Sequence, residues 1–479
     1  MDQPRPDVED ESQDSRRLLL AMVAVAGAVR LWLALTTPLI HDEYQWIRIA
    51  DQVSFAPLRL PLHGDNHPPG GAWLAAAGAA IFGRNLLGYR VGSVVLGTAL
   101  VWIAARLATR LGGSRAGLFA AVLVAGNGYL IGVSRLAVEL AGHLTFATAS
   151  ALLYLRALET RRALHHLLAG VCFGVGLLMK ESLALWAPLF LVAAWRTPGA
   201  LRSRGPWLAA ATAGLFLLPD LIWNLLVPLT RSDAPSHGLL WQLGRLGAGW
   251  NWGPLALFLR PLFFGRVESS VSEYASMTVL PGGLLLVGAV LSLRWLRSPT
   301  ARWVQSLGGL PVVFYTVLGS GRNDVEFWWA NLAVVPFAVL TAGVLARARR
   351  PGWATACVVG LTLTGVLDLV GSADNCYPSR LMAPPAAALA RCQSSERSAV
   401  VRHREHDHSE LSRVAGWRLP VAAYYVKQLD TYAHRLAAAQ ASGRDLESDG
   451  WAAVPLGRLT EERQWAQRVC RSLSGTAPP

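Results

Sequence analysis

Residues 18–40 read LLLAMVAVAGAVRLWLALTTPLI, and residues 41–69 continue HDEYQWIRIADQVSFAPLRLPLHGDNHPP. The join at residue 41 decides how the chain is read. The first piece is an apolar run of the length that crosses a bilayer as a helix. The second opens on adjacent carboxylates, Asp42 and Glu43, and closes on His67 before Pro68 and Pro69. An acid drawn into hydrocarbon costs a helix several kcal/mol, so carboxylates at a membrane edge usually line water or a site. The pair alone reads equally as the end of a helix, and His67 alone as an interfacial histidine. The loop 41–67 is nevertheless the first place to look for chemistry.

Composition agrees with a chain that lives in a membrane. Of 479 residues, 53% are hydrophobic and only 16% charged, against about 25% charged in a soluble domain, and the mean hydropathy is +0.34. The opening MDQPRPDVEDESQDSRR is polar and acidic; it lacks the basic start of a signal peptide and reads as a disordered cytosolic leader, 1–17. The net charge of +13 suits either nucleic acid or an anionic membrane face. The arginines stand in short clusters between apolar runs rather than in one block, which favours membrane orientation.

Outward from the first run, apolar segments recur at about 88–109, 116–134, 138–156, 164–180, 183–195, 207–228, 277–296, 303–319, 327–345 and 352–370. Together they predict an all-α integral membrane bundle of about eleven spans. The piece PPGGAWLAAAGAAIFG, 68–83, is short and rich in Gly and Ala, and suits a helix at the membrane surface better than a crossing. With the N-terminus inside, every inside loop is arginine-rich: Arg106, Arg110 and Arg115; Arg156, Arg161 and Arg162; Arg196, Arg202 and Arg204; Arg294, Arg297 and Arg302; Arg347, Arg349 and Arg350. An extra crossing at 68–83 would invert all of these. The division expected is a leader (1–17), a transmembrane domain (18–370) and a polar extracytoplasmic region (371–479).

That last region carries His403, His406 and His408 in HREHDH, which read as a solvated run because no closed ligand set accompanies them. Cys376, Cys392 and Cys470 also lie there, and outside the cytoplasm one pair could form a disulfide. Cys172 and Cys357 fall in apolar segments as packing residues. The sequence holds no nucleotide loop, dinucleotide fingerprint or internal repeat.

On this topology the polar outliers converge. Asp42, Glu43, His67, Arg135, Glu139, Lys180 and Glu181 are all outside or at the outer ends of spans, as are Asn323, Asp324 and Glu326. Each alone has a dull reading: Arg135 and Glu139, four apart, make an ordinary helical ion pair, and Lys180, one of only two lysines, could snorkel. Gathered on one face, they suit a charged substrate entering from the bilayer. A polyprenyl-phosphate sugar has that form. Attack at its anomeric carbon needs a base for the acceptor proton, and the departing phosphate needs cations or donors.

Five stretches resemble the protein O-mannosyltransferases and their relatives, including the aminoarabinose transferase that modifies lipid A, within the GT-C class (glycosyltransferase family 39). They are the acidic pair Asp42 and Glu43; His67, Pro68 and Pro69 with Trp73 and IFG at 81–83; Arg135 with Glu139; GLLMKES at 176–182; and LPDLIWN at 218–224. The likeness runs through most of 18–345.

The resemblance implies a lipid-phosphate sugar donor (mannose or a pentose), an extracytoplasmic active site and an inverting single displacement onto a protein, lipid or cell-wall glycan. Asp42 would be the base and Glu43 its neighbour at acceptor or donor. His67 stands where the aminoarabinose branch has a phosphate-contacting lysine, and Glu139 stands for a more usual Asp. Arg135 and Lys180 would lie near the donor phosphate or support the site. No cofactor is required by this reading, although Asp42 and Glu43 have the donor chemistry for a divalent ion such as Mg or Mn. The alternative is a polytopic transporter or flippase of a lipid-linked or anionic substrate, which would place charges near the midplane on broken helices of repeated halves.

Overall fold

The computed structural model describes residues 13–36, 41–55, 57–62, 67–222, 279–317 and 330–371. Asn323, Asp324 and Glu326, the histidines of HREHDH, Cys376, Cys392, Cys470 and the whole region from 372 onward fall outside the described residues.

Within them the chain is helical apart from one two-residue hairpin, β1 (Ser54–Phe55) against β2 (Leu58–Arg59). The first half comprises α1 (Gln13–Thr36), α2 (His41–Ala50), α3 (Gly70–Phe82), α4 (Leu86–Ala125), α5 (Gly128–Ser134), α6 (Leu140–Thr160), α7 (Ala163–Met179), a 3₁₀ turn (Glu181–Trp186), α8 (Ala187–Arg196) and α9 (Arg204–Leu215). The second comprises α10 (Val279–Trp295), α11 (Pro299–Val317), α12 (Ala330–Ala346) and α13 (Pro351–Gly371). α1 begins five residues before Leu18, inside the stretch expected as a leader.

The helices fall on the apolar runs, and their breaks have local causes. α4 is interrupted at Gly112 and Gly113, where Gly113 takes φ 71°, a conformation open to glycine without steric cost. The run expected as one helix at 116–134 is divided near Gly126. There Asn127 starts α5, its side chain accepting from the Leu130 amide at 3.0 Å, the local bond that makes Asn a helix starter. α7 ends because Lys180 is extended, at φ −153° and ψ 127°. The next segment opens as a 3₁₀ turn and becomes α-helical where Pro188 fits the first turn of α8.

α4 is the central post, packed by α1, α3, α6 and α12, while α7 lies between α6 and α9. Their shared interior is rich in alanine and leucine: Ala104, Ala105, Ala108, Ala120, Leu136, Leu307 and Val335 are all inaccessible. The outside is apolar too. Val25, Trp195, Leu293 and Leu363 stand exposed on helix faces, the surface of a protein whose solvent there is lipid. Two of the described helices are long and apolar enough to cross a bilayer by length and composition, Gln13–Leu35 and Leu87–Ala125.

The ends of the bundle differ in chemistry. At one, Arg110 reaches Glu159 at 2.6 Å, Arg161 the Pro198 carbonyl at 3.3 Å, and Arg347 the Leu111 carbonyl at 3.3 Å. These contacts bring together the turns at 112–113, 160–163, 196–204 and 346–351. α2, the start of α3, the start of α6 and the end of α7 meet at the other.

Candidate functional site

The site is built on helix ends, where backbone groups lack partners and ionisable side chains can supply them. Glu43, in the first turn of α2, is fully buried. Arg90 of α4, equally buried, donates through Nε and Nη2 to its two oxygens, each at 2.5 Å. The Ala137 amide donates to the same carboxylate at 2.8 Å, and Arg90 Nη1 reaches the Ala34 carbonyl in the last turn of α1 at 2.6 Å. One ion pair thus ties α1, α2, α4 and the approach to α6. A planar guanidinium is suited to this two-pronged grip, and a lysine is not.

A second pair lies across the same end. Lys180, 1% exposed, donates to Glu139 Oε1 at 2.7 Å. Glu139 precedes α6 and Lys180 closes α7, so the bond joins the open ends of the two helices. Arg135, also buried, caps α5 four residues before Glu139. A third pair follows at once: His67 Nδ1 donates to both oxygens of Glu181 at 3.2 Å. Burial opposes the Glu181 charge, but His67 and Lys180 more than offset it and hold the carboxyl down at about 2.

The loop before α3 is fitted against these pairs by glycine. A Cβ on Gly70 would lie 2.6 Å from the Leu178 carbonyl oxygen, and one on Gly71 would lie 2.9 Å from Glu139 Cβ and 3.0 Å from the Trp46 ring. The PPGG turn therefore approaches α2, α6 and α7 more closely than any other residue pair would permit. The Trp46 and His67 rings lie nearly parallel, 10° apart in plane with centroids 6.3 Å apart. Trp73 donates to the Pro61 carbonyl at 3.0 Å and fastens the loop behind them.

Four of the residues singled out in the sequence, His67, Glu139, Lys180 and Glu181, meet here in two linked pairs. Arg135 is buried at the same end. The Asp42 side chain lies outside the described residues; its backbone is in α2, beside Glu43. Glu43 itself has both oxygens facing a guanidinium and no exposure, an arrangement for holding helices and a poor one for reaching a substrate or a divalent ion. Among the described residues no group of three or more His, Cys, Asp or Glu is arranged to hold a metal.

Sequence reasoning passed over Arg90, and also Arg30, which is inaccessible within α1 and donates to Ser134 Oγ at 3.1 Å. Both stand within apolar runs, which is itself a signal of function or partnership. It also passed over His143. Nδ1 of this residue donates to the Gly176 carbonyl at 3.3 Å, which leaves Nε2 to accept from Ser182 Oγ at 3.4 Å.

An apolar cavity of about 280 Å³ runs between α7, α8 and α9, with Leu177, three residues before Lys180, in its lining. Leu177, Ala184 and Leu217 line its near end, and Tyr154, Leu201 and Pro206 the far end.

Comparison with known proteins bears on this arrangement. Residues 66–223, which hold His67, Arg135, Glu139, Lys180 and Glu181, match the family described as dolichyl-phosphate-mannose-protein mannosyltransferase. Over this stretch the chain resembles glycosyltransferase family 39. Over 163 residues the chain is 34% identical to the undecaprenyl phosphate-alpha-4-amino-4-deoxy-L-arabinose arabinosyl transferase of Pseudomonas aeruginosa strain LESB58; the match covers 32% of the chain and 30% of that relative. The chain thus spans under a third of the length of the curated relatives it matches. Among solved structures it is similar to ArnT from Cupriavidus metallidurans bound to undecaprenyl phosphate. The TM-score is 0.54 and the identity 17%, over 87% of this chain and 72% of that one. The apo form of the same protein gives a TM-score of 0.52 over 88% and 72%. At these identities the structures speak for the fold of the chain alone, which is the helical GT-C membrane bundle.

Proposed function

We propose that the protein transfers a sugar, mannose or a pentose, from a polyprenyl-phosphate carrier to a hydroxyl of a protein, lipid or glycan. The observation that carries this reading is the junction of two unlike surfaces. A buried cation held among carboxylates, Lys180 with Glu139 and Glu181, closes α7, the helix whose Leu177 and Phe173 line an apolar cavity. A phosphate on a hydrocarbon tail needs both in one place. The relatives named for undecaprenyl phosphate support the same donor class.

In this reading the acceptor oxygen attacks the anomeric carbon from the face opposite the phosphate, inverting it. Its proton passes to Asp42, the bond from the anomeric carbon to the phosphate oxygen breaks, and its electron pair leaves with the lipid phosphate. Lys180, Arg135 and His67 stabilise that leaving charge. Glu43 holds α2 rather than touching substrate. The positive-inside pattern supports about eleven spans, a cytoplasmic N-terminus, and an outward-facing active rim and 371–479 region. The relatives being membrane enzymes of this fold supports the location. The transporter alternative fits less well, because the ionisable groups gather at one end and no repeated half is present in the sequence.

The test is incubation of membranes containing the protein with undecaprenyl-phosphate mannose, arabinose and aminoarabinose, each labelled in the sugar. Transfer of label to a non-carrier product, lost with Asp42→Asn while insertion is normal, supports the reading. Movement of intact labelled carrier across vesicles with no new product supports the transporter instead.

A further inference from the structure

α2 has ten residues, too few to hold a helix by its own propensity in water. Its placement therefore comes from what grips it. Two consecutive residues of α4 do so. Arg90 holds Glu43 in the first turn, as described above, and Tyr89 donates to Asp51 Oδ1 at 2.5 Å just beyond the last. Arg84, 3.5 Å from the same oxygen, adds a weaker contact from the start of α4. Between these anchors Trp46, Ile47, Ile49 and Ala50 are buried. Both ends of α2 are thus referenced to one rigid helix, and Asp42 is the residue immediately before the clamped Glu43.

We infer that Arg90, with Tyr89, is a positioning residue for the reaction: it fixes α2, the helix that carries position 42. Arg90 acts through Glu43 and touches no substrate. This rests on the assignment of Asp42 as base. A merely structural Arg90 would change how much protein folds and leave the turnover of the folded fraction alone. A positioning Arg90 changes turnover specifically, and has no further effect once the base is gone.

The full-length protein in nanodiscs, as Arg90→Lys, Tyr89→Phe, Asp42→Asn and the Asp42→Asn/Arg90→Lys double variant, separates these. The donor is the undecaprenyl-phosphate sugar that transfers in the panel above. Lysine keeps the charge but loses the fork, so Arg90→Lys is expected to lower kcat by about tenfold or more with KM for the donor within about twofold. Tyr89→Phe should act in the same direction and less. The double variant should retain the same residual rate as Asp42→Asn alone, the non-additivity of groups that act as one. Amide exchange across 41–50 should quicken in Arg90→Lys while α6 and α12 stay protected.

An unchanged kcat, or a double variant slower than Asp42→Asn by the full Arg90→Lys factor, overturns the inference. If the wild-type chain transfers no sugar from any donor, the functional reading fails on its own. The exchange measurement then decides the clamp: protection of 41–50 unaltered by Arg90→Lys would end it.

Discussion

The two ends of the bundle are both rich in charge, and they hold it in opposite ways. At the arginine-rich end the pairs lie in the open: in Arg110–Glu159 the side chains are 26% and 53% exposed, and the other arginines reach backbone carbonyls at the rim. At the opposite end Arg90–Glu43, Lys180–Glu139 and His67–Glu181 are buried or nearly so. An exposed pair contributes about 0–1 kcal/mol, whereas a buried one repays its desolvation only with excellent geometry. The open end thus holds its charge as an ordinary solvated rim does, and the closed end carries an arrangement that stability alone does not call for. Buried ion pairs drawn from separate helix ends and collected beside an apolar cavity are the mark of a site.

Substitutions can break that contrast or sharpen it. The largest effect is expected from Asp42→Asn, which should lower sugar transfer by about 10²- to 10⁴-fold, the usual contribution of a general base, measured with the labelled donors on membranes of matched protein content. Next comes Lys180→Met, which leaves Glu139 buried without its lysine and should destabilise by about 3–5 kcal/mol. Adding Glu139→Leu should restore much of the melting temperature in detergent but none of the transfer. If both recover together, Lys180 is structural alone.

Gly70→Ala forces a Cβ toward the Leu178 carbonyl oxygen, a backbone atom that cannot swing aside, and should cost about 1–3 kcal/mol by overpacking, read as a lowered melting temperature.

Glu181 gives a smaller, pH-dependent effect. Its folded carboxyl titrates at about 2 against an ordinary 4.5. A depressed carboxyl stabilises the fold above the ordinary value and loses that contribution as pH falls toward the folded one. The melting-temperature gap between the wild type and Glu181→Gln should therefore be full above pH 4.5 and close toward pH 2; a gap constant over that range would contradict the contact with His67 and Lys180. The smallest effect belongs to the open end. Arg110→Ala should change stability by no more than about 1 kcal/mol and leave transfer unaltered.

Much of the first half of the molecule was legible in the residues. Apolar runs marked α1 and α3 to α9 because a chain without water must satisfy its backbone internally, and this makes the pattern loud; α2, whose residues HDEYQWIRIA are largely polar, falls in the stretch 41–67 that reads as a loop. Asp42, His67, Arg135, Glu139, Lys180 and Glu181 stood out for the complementary reason, being ionisable groups at the ends of such runs. The pairing did not stand out. Glu139 sits four residues from Arg135 and was expected to face it along one helix, but it bonds to Lys180, 41 residues away, because Arg135 ends α5 and Glu139 begins α6. Arg90 was hidden for a like reason: nothing in the spacing between positions 43 and 90 announces a contact between two separate helices.

The sequence by itself therefore determined the medium, most of the helices and most of the ionisable residues of the site, since hydropathy and charge act residue by residue. Tertiary structure decided which charge answers which, that Glu43 is clasped by Arg90, and that an apolar cavity lies along α7, the helix that Lys180 closes. Those are properties of distances between segments, and such distances are set only when the helices pack.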